Sequence, residues 1–215
     1  MELNRNGILH AARTLLVVVL LLGLAACGGI QKPFNPLDEH KTYRPSSIAI
    51  ISGSHREGDV HLAQFVTDGL TKRSTFRVMP QEEIQRRLPD YPSIIDLRDD
   101  VKDDDEKAIW FKASEKNRLN AIQAKLKVDY LFVIWNSEMV MITGDNGTTY
   151  YVYPVGNMIE YPGGKVVAST RSHNGSSTSI LALFRSRDYY IVDALHGAAD
   201  DIVDEFLDVT KSKKP

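Results

Sequence analysis

The sequence predicts a mixed α/β domain, a β-sheet with helices packed on it, preceded by a segment that belongs to a different physical class. Three observations lead there. Short runs rich in β-branched residues alternate with stretches of helical periodicity. The second half holds consecutive strand-like segments joined by Gly-rich turns, and the chain closes on a long amphipathic stretch. Composition agrees: 215 residues, 43% hydrophobic and 25% charged, suit a globular domain with a real core rather than a disordered chain.

Taken in order, Ser47-Ile48-Ala49-Ile50-Ile51 reads as a buried first strand ending in the turn-like Ser52-Gly53-Ser54. Asp59 to about Arg73 carries Leu62, Phe65, Val66 and Leu70 near helical spacing. Phe76-Arg77-Val78-Met79 is a second short strand. Pro80 suits a first helical position, and Ile84 and Leu88 lie four apart in the helix that follows, which Pro89-Asp90-Tyr91-Pro92 stops. Residues 106–127 predict one long helix or two short ones, with Leu119, Ile122 and Leu126 as the apolar stripe. Tyr130 to Trp135 is a continuous apolar run, as expected of a central strand covered on both faces. Gly144-Asp145-Asn146-Gly147 has hairpin-turn chemistry, with Thr148–Val155 and Gly156–Tyr161 as the return strand. A turn at Pro162-Gly163-Gly164 leads to a strand over 165–171. Asp188 to about Thr210 is an amphipathic helix bearing Val192, Leu195, Ala199, Ile202, Phe206 and Val209.

The first 26 residues have another purpose. Arg5 and Arg13 precede an apolar run from Leu15 to Leu24, and small residues follow. That is the pattern of a secretory signal, and its core is too short for a ~30 Å hydrocarbon layer at about 1.5 Å per residue. The exit Leu24-Ala25-Ala26-Cys27 resembles the lipobox of bacterial lipoproteins. That resemblance implies diacylglycerol on the Cys27 sulfur, cleavage just before it, and an acyl chain on the new amino group; several acyl chains anchor stably where one does not. By the sorting rule of enteric lipoproteins, Gly28 in place of the Asp that signals inner-membrane retention implies the periplasmic face of the outer membrane, with the inner membrane as the alternative. Cys27 is the single cysteine, so the fold has no intramolecular disulfide. Residues 27–46, with Pro33, Pro36 and Pro45, read as a lipidated start and extended linker, 47–210 as the domain, and 211–215 as a tail.

The domain itself resembles the periplasmic lipoprotein fold of the N-terminal domain of TolB, the curli secretion lipoprotein CsgG and LpoB-type activators, an anticodon-binding-like mixed sheet. The residues that carry the resemblance are Ser47 to Ile51, then Phe76-Arg77-Val78-Met79-Pro80 into Glu82-Glu83-Ile84, then Ala124-Lys125-Leu126-Lys127-Val128-Asp129-Tyr130-Leu131-Phe132-Val133. The family's Pro-Phe after the first strand is replaced by Ser52-Gly53-Ser54. The resemblance implies binding and assembly work in the cell envelope, with a protein or cell-wall partner and oligomers within the family's range, including a secretion pore.

Ser54 and His55 invite a nucleophile–base pair, but sequence neighbours rarely reach the required geometry and no Gly-x-Ser-x-Gly elbow is present. His55 and His61, with Glu57 and Asp59 between them, lack a helical-face ligand spacing. The acidic stretch 96–106, with Asp99, Asp100, Asp103, Asp104, Asp105 and Glu106, has oxygen ligands for calcium without the loop pattern that would make it specific. No cofactor is expected beyond the lipid on Cys27. A formal net charge of −2 gives no reason to expect nucleic acid. Tyr150, Tyr151 and Tyr153, on the return strand, are the candidate partner-binding aromatics.

Overall fold

The computed structural model describes residues 34–36, 46–92, 113–144, 147–178 and 185–210. The signal segment, Cys27, the acidic stretch 96–106, the start of the helical region at 106–112, Asp145, Asn146 and the tail lie outside the described residues. The chain divides into two units, Met1–Gln31 and Lys32–Pro215, and every described element belongs to the second.

In chain order the elements are β1 (Phe34–Pro36), β2 (Ser47–Ser52), α1 (Glu57–Arg73), β3 (Arg77–Val78), α2 (Gln81–Arg87), a 3-10 turn (Ala113–Glu115), α3 (Lys116–Leu126), β4 (Tyr130–Gly144), β5 (Gly147–Glu160), β6 (Lys165–Arg171), β7 (Asn174–Ser177) and α4 (Arg187–Thr210). Among the described residues they form one mixed sheet in the order β1-β6-β5-β4-β2-β3, with β7 also on β5. β2 runs parallel to β3 and β4, and the remaining pairings are antiparallel. The predicted mixed α/β class is the observed one.

The sheet has helices on both faces, which is why its central strands are apolar without alternation. Ile48, Ile50, Tyr130, Phe132 and Ile134 point to the side where α1 and α4 pack, with Leu62, Val66, Leu70, Leu195, Ile202 and Phe206. Ala49, Ile51, Leu131, Val133 and Trp135 point to the other side, toward Ile84, Leu119, Ile122 and Leu126 of α2 and α3. α1 and α4 touch closely at Gly69, where an added Cβ would lie 2.8 Å from a Val203 methyl.

The Asp129-Tyr130 pair that entered the family resemblance has a clear local role. The Asp129 carboxylate accepts from the Ser47 N–H at 2.8 Å and from its hydroxyl at 2.6 Å. Its own N–H donates to the Ser47 carbonyl at 3.0 Å. These bonds clip the start of β2 to the start of β4, and the Ser47 hydroxyl and N–H hold the Asp129 carboxyl below its usual value. Lys127, in the left-handed region at φ 56, ends α3 and turns the chain into that clip.

Two strands depart from expectation. Phe34–Pro36, expected within the extended linker, pairs antiparallel with β6 as an edge strand. Three residues ending in proline are too short to display alternation, and an edge tolerates the missing N–H. β7 is all small and polar, Asn174-Gly175-Ser176-Ser177, so it carries no apolar signal and is held by ladder bonds and by side-chain hydrogen bonds.

Candidate interaction surface

β4 and β5 form one long hairpin whose two halves are built differently. Tyr130 to Trp135 is buried throughout, whereas beyond Asn136 β4 is largely exposed. The change falls where β2 stops. The last rung there is the Gly53 N–H to the Ile134 carbonyl, at 2.8 Å. Gly53 packs its backbone on the Trp135 ring so closely that an added Cβ would sit 2.4 Å from a ring carbon.

A β-bulge between Asn136 and Glu138 marks the exit from the body. Side chains fix it. The Asn136 amide oxygen accepts from the Tyr153 N–H at 2.8 Å, and the Ser137 hydroxyl donates to the Tyr153 carbonyl at 2.7 Å. The Asn136 N–H donates to buried Asp59 at 2.7 Å. From there the hairpin continues as an arm, Glu138–Gly144 against Gly147–Tyr153.

One side of the arm is fastened. β7 pairs with Thr149 to Val152. Its Ser176 hydroxyl donates to Asp193 of α4 at 2.7 Å. Tyr150 is buried and stacks on Tyr190 of α4, with ring centroids 6.1 Å apart at 16°. Tyr150 is therefore an attachment residue, where the sequence suggests an exposed aromatic. Tyr151 and Tyr153 lie on the opposite face, half-buried, and Tyr153 stacks on His173 at 6.2 Å.

The other side of the arm is bare among the described residues. Met139, Met141 and Ile142 are 40%, 57% and 56% exposed, an unusual concentration of large apolar side chains. Met139 and Met141 stand opposite Val152 and Tyr150, so they extend the Tyr150–Tyr190 surface outward. Tyr189 meets Tyr190 edge-on at 5.5 Å and carries the Arg185 guanidinium over its ring at 4.2 Å. Between Glu138 and Glu160 the sequence has one charged residue, Asp145. Sequence reasoning passes over the methionines, although four consecutive apolar residues, Met139 to Ile142, lie beyond a strand already long enough to cross a core.

The catalytic candidates do not converge. Ser54 is fully buried, and its hydroxyl donates to the Asp59 carboxylate while accepting from the Arg56 N–H at 3.2 Å. That is a helix-entry network at the start of α1. His55 is exposed. His61 packs beside Phe65, whose ring also meets His196 edge-on at 4.9 Å. Among the described residues no group of three or more His, Cys, Asp or Glu side chains could hold a metal ion. No described helix is long and apolar enough to cross a membrane.

No family model matches the chain, and no curated protein matches it. Solved structures do. Lipoprotein GNA1162 of Neisseria meningitidis is 11% identical, covering 74% of this chain and 99% of that one, with a TM-score of 0.44. The PelC dodecamer of Paraburkholderia phytofirmans is 9% identical over 80% of this chain and 96% of that one, at 0.42. A protein of Caulobacter crescentus described as a lipoprotein is 12% identical over 78% and 93%, at 0.41. The similar structures thus include lipoproteins.

Proposed function

We propose that this chain is a periplasmic lipoprotein, anchored through acyl chains on Cys27 to the outer membrane, that binds another envelope component and assists assembly, secretion or wall synthesis without catalysing a reaction. The observation that carries the binding role is the arm: a braced hairpin presenting Met139 and Met141 to solvent on the Tyr150 face and Ile142 on the other, uncharged from Met139 to Gly144. Soluble domains rarely leave such a patch uncovered unless something meets it. Methionine suits this use because its flexible thioether adapts to a partner's shape. The anchor supports the same reading, since tethering raises the effective concentration of any partner at the same membrane.

The test has two arms. Labelled palmitate enters the wild-type chain and not Cys27→Ala, which checks the anchor. Crosslinking in cells followed by mass spectrometry recovers a defined envelope protein or wall glycan with wild type and not with Met141→Lys. Recovery of the same material with both would remove the arm from the binding role.

A subunit of a ring-shaped secretion pore is the second reading, favoured by the projecting hairpin. It predicts a large symmetric assembly in mild detergent. A hydrolase built on Ser54, His55 and His61 would need a serine that is instead buried and bonded to Asp59. Substituting both histidines leaves function intact on the binding reading.

A further inference from the structure

The outer edge of β4 beyond Asn136 is unpaired among the described residues. β2 leaves β4 after Ser52, opposite Ile134, and the next N–H on that side, that of Asn136, is taken by Asp59. From Glu138 to Gly144 the strand has, among the described residues, ladder partners on its β5 side alone. Exposed edges are normally guarded by lysine, proline or a bulge. Here the bulge lies at the root of the arm, and Met139 to Gly144 holds neither charge nor proline.

The geometry points to a second copy of this chain as the occupant: two arms pair edge to edge, antiparallel, about a twofold axis through Val140. The shape of the edge favours this. β4 projects past the end of β2 and leaves a step running from Asn136 to Gly144. An antiparallel copy centred on Val140 fills that step; the bulge takes up Ser137, so the copy's Thr143 arrives opposite Asn136, at the β2 shoulder. Side chains on the methionine face agree with the register. Met139 lies opposite Met141 of the second copy on the face of Tyr150 and Tyr190, so four methionines cluster there. Glu138 lies opposite Ile142 of the second copy, and the two Glu138 side chains are four residues apart, about 14 Å at ~3.4 Å per residue. That exceeds the ~8 Å over which charges act at physiological salt. An isologous contact also closes on itself, so an unguarded edge need not propagate into fibres.

The contact is small. It gathers Met139 and Met141 of each copy on one face and Ile142 on the other, less than the ~800 Å² per partner of a stable soluble interface. Pairing therefore depends on concentration at a membrane, and to that extent it rests on the anchored reading.

The experiment uses the full chain in its native membrane under a mild oxidant. Val140→Cys places a thiol opposite itself, at the ~4.5–5.5 Å Cα separation of facing residues, which a disulfide can span. Thr143→Cys is the control, since its mate would lie six residues away, about 20 Å. The parent chain, whose only cysteine is Cys27, sets the background. The expected result is a covalent dimer from Val140→Cys at least about tenfold above Thr143→Cys, suppressed about tenfold by adding Met141→Lys. Should Val140→Cys fold poorly, Met139→Cys and Met141→Cys co-expressed must crosslink more than either does separately. Equal yields from positions 140 and 143, or a crosslink to another protein in place of the dimer, would overturn the twofold pairing. A crosslink to another protein would leave the binding role standing, and loss of palmitate labelling would be seen independently.

Discussion

The two halves of the β4–β5 hairpin share a backbone and differ in nearly everything else. In the inner half, Tyr130 to Ile134 pairs with β2 on one side and β5 on the other, and helices cover both faces. In the outer half, Glu138 to Gly144 pairs on one side among the described residues, and three of its large apolar side chains meet solvent. The boundary is one short stretch, Trp135-Asn136-Ser137, where β2 ends, Gly53 caps the Trp135 ring and the bulge re-aims the strand. Apolar residues therefore do two jobs along one strand. Inside the boundary they hold the fold together, and outside it they remain free to hold something else.

This division can be broken most strongly at its inner side. Trp135→Ala removes a fully buried ring from the core on the α2–α3 side and is expected to cost about 3–5 kcal/mol in chemical denaturation. Gly53→Ala pushes a methyl into the same ring and is expected to cost about 1–3 kcal/mol, a smaller loss because the tryptophan can shift.

Ser47→Ala cuts one of two bonds to the Asp129 carboxylate and should cost about 1 kcal/mol, discounted because Asp129 itself is exposed. The pH dependence has a definite sign. Asp129 has a folded-state pKa below its ordinary 3.8, so its contribution is present above that value and is lost as pH falls through the folded one. Ser47→Ala moves the folded pKa back up toward the ordinary value, so the acid-side loss is smaller and is complete at a higher pH, and carboxyl NMR titration would read the raised pKa. No upward movement would mean that the Ser47 hydroxyl does not stabilise the charged form.

At the outer side the expected change in stability is smallest. Met141→Ala should alter the unfolding free energy by no more than about 0.5 kcal/mol, as for a surface residue. A loss comparable to that of Trp135→Ala would erase the division between fold and arm.

The inner half was legible in the sequence because burial on both faces leaves an unbroken apolar run, and the amphipathic helices around it follow from their periodicity. The outer half was not. Asn136-Ser137-Glu138 interrupts the pattern because a bulge adds a residue, and side-chain bonds to Tyr153 replace apolar packing there. Tyrosines drew attention to β5, yet residues in one strand alternate between faces. Tyr150 turned inward to Tyr190, while Tyr151 and Tyr153 turned the other way. Which face is covered depends on α4, far along the chain, and no local signal encodes that.

Whether the outer half of the hairpin is a contact surface is read most directly by a photo-crosslinking residue placed at Met141 in living cells. The comparison is the same residue at Lys125, on the exposed side of α3. A discrete adduct from position 141, to a second copy or to an envelope component, and none from position 125, is the predicted result. Position 141 giving no adduct under conditions where the chain is folded and abundant would contradict a contact role for the arm.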